Sequence, residues 1–199
     1  MKTSLLKKLE ENLDYYLKNS EPLWHPLGFV SCLVDNIQNN EFYRIHYWPK
    51  DLRRTKNPNW PIHTHCYDLE SLILEGSITD IQYEVKKGED HQVYQVEYSG
   101  EDSKIIKTNS SISLDIMFAQ QRYQAESYFV PKGIFHQSEV DLNATAVTFV
   151  HLSNKDNSFP LVVGENKAVE YPYERIKYDK NHFNSVVHRA FEDCLKIKS

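Results

Sequence analysis

The chain has 199 residues, a length that one all-β domain fills, and its 40% hydrophobic and 13% aromatic content is enough for one core. The formal charge of −5 arises from interspersed acidic and basic residues, so there is no basic face for a phosphate backbone, and nucleic acid is excluded as a partner. No run approaches the roughly 18 apolar residues of a membrane span. Residues 1–20 have a basic start but no unbroken apolar stretch and no small-residue cleavage site, which predicts a cytoplasmic protein.

In chain order, Leu5, Leu6, Leu9, Leu13, Tyr16 and Leu17 recur at helical spacing with Lys and Glu between them, so residues 3–18 read as an amphipathic helix. From Gly28 the texture changes to short apolar or alternating runs separated by Asn, Asp, Gly, Pro and Ser: GFVSCLV, EFYRIHYW, SLILEG, ITDIQYEV, HQVYQVEY, SISLDIMF, SYFVPKG, TAVTFVHL and FPLVV. Strand follows strand at close spacing. KKGED, between Val85 and Gln92, reads as a hairpin turn, and the segment from Tyr94 to Ser113 as a peripheral hairpin. Phe183, Val186, Val187, Ala190, Phe191 and Leu195 mark a last amphipathic helix capped by Asp179. The expected organisation is one domain over residues 1–199: a helix within 1–20, a β-barrel over 28–165 and a helix over 179–197.

Cys32, Cys66 and Cys194 are odd in number and far apart, which argues against a disulfide framework and for buried thiols. The histidines are more informative. In an extended segment, residues two apart face the same side, so His63 and His65 in WPIHTHCYDLESLILEG aim both imidazoles at one point. His136 ends the turn PKGIFH, where Pro131 presets φ and Gly133 relieves a tight bend. Lone pairs converging from separate segments are what a metal ion needs. Cys66 follows His65 directly and faces away from the pair.

These two stretches resemble the motifs of the cupins, small double-stranded β-helix (jelly-roll-like) barrels that hold a metal. The first motif, HxH then an acidic residue then a glycine turn, matches His63, His65, Glu70 and Gly76; the second, PxGxxH, matches Pro131, Gly133 and His136. The resemblance covers residues 40–153. It implies an all-β barrel flanked by helices, with His63, His65, Glu70 and His136 as metal ligands. Glycines that begin both motifs are replaced by Asn57 and Ala125, and the stretch from His65 to Gly76 is one residue short. Counting forward from His65 puts Glu70 at the acidic position; counting back from Gly76 puts Leu69 there and turns Glu70 to the other face. Asp68, close behind His65, is the alternative, either as a ligand or as an acceptor holding an imidazole.

A narrower resemblance is to the thiol dioxygenases among the cupins, in the order EFYRIHYW, loop, PIHTH, SLILEGSI and TAVTFVHL. Their crosslinked cysteine and tyrosine are not matched: the positions fall at Leu69 or Glu70 and at about Leu152. The resemblance implies an Fe(II) oxygenase acting with O2 on a small polar or anionic substrate, with Mn(II), Ni(II) or Zn(II) as other ions and isomerisation, dehydration or simple ligand binding as other roles. In EFYRIHYW one face carries Phe42, Arg44, His46 and Trp48, the other Tyr43, Ile45 and Tyr47. With the first face inward, Arg44 would clamp a carboxylate and His46 would serve as general acid or base; with the second inward, both would lie outside. His25, His91, His182 and His188 read as surface or packing residues, and His151 as a core histidine. Barrel edge strands suggest a homodimer.

Overall fold

The structure, a computed structural model, describes residues 3–37, 41–99 and 102–198. In chain order its elements are α1 (Ser4–Lys18), β1 (Leu23–Trp24), β2 (Leu27–Gly28), β3 (Val30–Ile37), β4 (Glu41–Trp48), β5 (Arg54–Thr55), β6 (Asp68–Glu75), β7 (Ser77–Ser99), β8 (Asp102–Tyr123), β9 (Ser127–Val130), β10 (Phe135–Glu139), β11 (Ala146–Ser153), β12 (Leu161–Gly164), β13 (Glu170–Tyr173) and α2 (Lys180–Lys198). A six-stranded sheet runs β1-β3-β4-β11-β6-β9, and a five-stranded sheet runs β10-β7-β8-β13 with β12 also on β7. The fold is thus all-β with a helix at either end, as the strand texture predicts.

Both helices lie on one face of the six-stranded sheet. Thr3 caps α1 by accepting from the Leu6 amide at 3.2 Å. Asp179 caps α2 by accepting from the His182 amide at 2.9 Å. Leu6 and Leu9 of α1 and Phe183 and Val187 of α2 are wholly buried against Ile45, Leu72 and Phe149 of the sheet, and full burial of such side chains contributes about 1.5–3 kcal/mol each. This decides the alternation of β4. The helices need an apolar surface, Tyr43, Ile45 and Tyr47 supply it, and Phe42, Arg44, His46 and Trp48 are left facing the second sheet. Between the sheets lies a second core of Phe29, Trp48, Leu69, Ile73, Ile78 and Tyr128.

Two expectations are corrected. KKGED is not a hairpin turn. Lys86 pairs with Ser113 and His91 with Ile112, so β7 continues along β8 and residues 87–90 form an excursion within it. Both halves of the expected hairpin find their partner in β8 rather than in each other. The segment from Tyr94 to Ser113 does form a hairpin, the far arm of the β7–β8 pair, in which Ser99 pairs with Asp102; residues 100 and 101 lie outside the described residues. The sheet also extends past residue 165, because β13 pairs with Ser103–Ile106 of β8. Cys32, Cys66 and Cys194 are free and buried. No helix among the described residues is long and apolar enough to cross a membrane.

Candidate metal centre

Backbone pairing sets the histidines. The His63 amide donates to the His136 carbonyl at 3.0 Å and the His136 amide returns to the His63 carbonyl at 2.8 Å. Directly opposed residues share a face, so the two rings project together. On its other side the HxH segment is stitched to β12, with the Thr64 amide donating to the Leu161 carbonyl at 2.8 Å and the Leu161 amide to Thr64 Oγ1 at 2.9 Å. The PKGIFH turn closes onto the same segment: the Gly133 amide, in left-handed backbone at φ +76°, donates to the His65 carbonyl at 2.9 Å.

The three rings form a compact triangle with centroids 4.6 Å (His63–His136), 4.7 Å (His63–His65) and 4.9 Å (His65–His136) apart. One nitrogen of each lies within 4.8 Å of the others. His136 Nε2 stands 2.9 Å from His65 Nε2. Two nitrogens about 2.1 Å from one ion and at right angles to it would stand about 3.0 Å apart, so this pair fits adjacent coordination positions. His63 Nδ1 is 2.8 Å from the Pro61 carbonyl, which fixes its proton there and frees Nε2 for the centre. Burial pushes all three imidazoles below their ordinary range, and for His65 and His136 the neighbouring histidines add to the effect. They are therefore neutral at physiological pH, the state in which imidazole coordinates a metal. His136 Nδ1 is buried without a hydrogen-bond partner.

Glu70 is not in this group, and the reason is register. His151 on β11 lies opposite Glu70 on β6 and opposite Tyr43 on β4, so all three share the helix-covered face. There His151 stacks on Tyr43 at 4.7 Å and meets Glu41 at 3.2 Å. The adjacent row, Phe42, Leu152 and Leu69, faces inward, and Leu69 and Leu152 form cavity wall beside the histidines. Asp68 also takes another part: it accepts from the Lys132 amide at 2.9 Å and from Asn154 Nδ2 at 3.0 Å. Those bonds hold its carboxyl below the usual range and tie the PKGIFH turn to the loop after β11. It braces the second motif and contacts no imidazole.

Arg44 and His46 line the cavity with the three histidines, in an inner space of about 130 Å³. The Arg44 side chain has neither hydrogen bond nor ion pair to any described residue, and its Nε is buried. Burial, then Arg44 and then His63, push His46 down to about 3. No Asp or Glu among the described residues lines this space. It holds a guanidinium, neutral imidazoles and apolar wall, which makes it receptive to an anion.

His25 belongs to the cavity too, against the expectation of a packing role. It stacks on Phe29 at 4.3 Å and its Nδ1 accepts from the Leu27 amide at 3.3 Å. Burial and then His63 push it well below its usual value. Tyr67, stacked on His65 at 4.8 Å, lines the same cavity. Both lie outside regular alternation, on bends where spacing predicts no face.

These features define a two-sheet β-barrel enclosing a three-histidine centre to which no carboxylate among the described residues belongs. No protein-family model matches the chain, and no curated protein matches it. Among solved structures it is similar to an RmlC-like cupin from Shewanella frigidimarina NCIMB 400, with 11% identity, a TM-score of 0.41, and coverage of 70% of this chain and 88% of that one.

Proposed function

We propose that the protein is a metal-dependent enzyme in which His63, His65 and His136 hold a divalent ion, Fe(II) foremost, and that it oxidises a small anionic substrate with O2. The observation that carries this reading is the convergence of three neutral imidazoles beside a guanidinium, with no ion-pair partner for it and no carboxylate on the wall among the described residues. Three neutral ligands leave a divalent ion its full double charge, which suits an anionic chelating substrate. When bound, the ion supplies a site for oxygen and substrate side by side. The chain's own groups do the rest. Arg44 receives a carboxylate bidentately. Trp48, Leu69 and Leu152 keep water out. His46, neutral at physiological pH, is too weak a base as it stands; an anion seated against Arg44 offsets the guanidinium and draws its pKa upward, toward a range where it can take a proton.

The 2.9 Å contact between His65 and His136 is also the length of an imidazole hydrogen bond, and it favours a second reading, a metal-free module that binds anions. Elemental analysis of untagged protein, then anaerobic loading with Fe(II) and addition of nitric oxide, separates the two. One iron per chain with a nitrosyl signal is expected; protein that takes up no metal selects the binding module. His136→Ala should abolish stoichiometric metal while leaving the circular-dichroism spectrum unchanged, and full metal content in that variant would remove His136 from the centre.

A further inference from the structure

Arg44, His25, His63, His65 and Tyr67 line not only the inner space but a second compartment of about 110 Å³ on its outer side. The outer compartment reaches Lys56. We infer that it binds a second anionic group, so that the site takes an elongated dianion: one carboxylate at Arg44, an apolar or ring-containing middle, and a second carboxylate at Lys56. This rests on the anion-binding centre proposed above.

Lys56 carries the argument. Its ammonium donates to the Tyr171 carbonyl at 2.7 Å and stands 5.8 Å from the Tyr173 ring centre, with no ion pair among the described residues. An ammonium has three donors, so most of its capacity is unused. Its surroundings have drawn it partly out of water, enough to push it down to about 8, and no acidic side chain among the described residues lines the compartment. A partly desolvated cation with no acidic partner among the described residues is a standing cost. The anion that relieves it must arrive with the ligand.

Besides these two cations the compartment is lined by a third, Arg175, by the polar Thr64, Ser103 and Tyr173, and by a set of apolar side chains. Trp60, Val96, Ile105 and Val162 face the compartment, and Tyr98 stands at its mouth, 58% exposed. Trp60 is fixed in place: its indole packs on Gly164, where an added Cβ would come within 2.1 Å of the ring, and lies 4.7 Å from Tyr94 and 5.2 Å from Tyr171. A rigid aromatic floor with a cation at either end suits a ligand that is charged at both ends and flat or apolar between them.

The test is isothermal titration of the iron-loaded protein with matched pairs that share one skeleton, benzoate with terephthalate and hexanoate with adipate. In at least one pair the dicarboxylate should bind about tenfold tighter or more. Lys56→Met should erase that preference while leaving the monocarboxylate affinity unchanged, and Lys56→Arg should keep it; Lys56→Gln, with thermal melting alongside, guards against a folding defect in the methionine variant. Equal affinities within both pairs, no binding at millimolar concentration, or equal weakening of both members in Lys56→Met would overturn the inference. Repeating the titration on chelator-treated protein separates it from the metal reading. A Lys56-dependent preference in protein that takes up no iron sinks only the metal reading, and iron uptake without the preference sinks only the dianion.

Discussion

The buried histidines make a quantitative statement about acid stability, and His46 is the clearest. Its folded-state pKa, about 3, lies below the ordinary 6.5, so as pH falls the unfolded chain takes up the proton first. The contribution is whole above pH 6.5 and drains away below it. Linkage gives a loss of about 2 kcal/mol at pH 5 against ~0.1 kcal/mol at pH 7.5. His25, His63, His65 and His136 are shifted in the same direction by the same burial, so their contributions also drain away as pH falls below the ordinary histidine range. His46→Gln removes one of them. Its lost packing on Phe29, at 5.0 Å, is the same at both pH values and cancels. Urea unfolding followed by tryptophan fluorescence, with chelator present, should show the parent losing about 2 kcal/mol more than the variant between pH 7.5 and 5.0. Equal losses would mean that His46 protonates freely inside the fold, that the cavity is wet, and that the reasoning from burial is wrong.

Two further substitutions test the architecture. Glu70→Gln, on the face shared with Tyr43 and His151, should keep full metal content by elemental analysis and shift stability by no more than about 0.5 kcal/mol; loss of metal would bring a carboxylate back into the centre. Gly76 has φ +79° and an added Cβ there would come within 2.1 Å of the Thr145 carbonyl oxygen. Gly76→Ala should therefore cost about 2–6 kcal/mol in urea unfolding, from backbone strain and overpacking combined, and an unchanged midpoint would show that the β6–β7 turn relaxes freely.

What the sequence could and could not reveal follows from which signals are local. Alternation separated the two faces of EFYRIHYW correctly but could not say which was inside, because that depends on where α1 and α2 land. Only the assembled structure shows that the helices land on Tyr43, Ile45 and Tyr47. The position of Glu70 turned on a one-residue difference in counting, and only the cross-strand row through His151 and Tyr43 resolves it. Turn chemistry misled at KKGED because residue type is a weaker constraint than an existing ladder on β8. Ala125 shows the opposite case. It stands where a motif glycine was expected, and the backbone there keeps the left-handed conformation, φ +69°, that a glycine would have supplied. His25 and Lys56 carried no periodic signal, since both lie on bends that reach the cavity through tertiary contact alone.

The reciprocal amide bonds between His63 and His136 have a thermodynamic meaning of their own. Where a metal site is assembled only by its metal, much of the ion's affinity is consumed in ordering the chain. Here the ladder has already brought two of the three rings together, and β12 secures the segment that carries the third. Whatever the imidazoles bind, its affinity goes into binding rather than into folding. Exchange of one occupant for another then leaves the barrel standing, and selection among occupants falls to size, charge and supply.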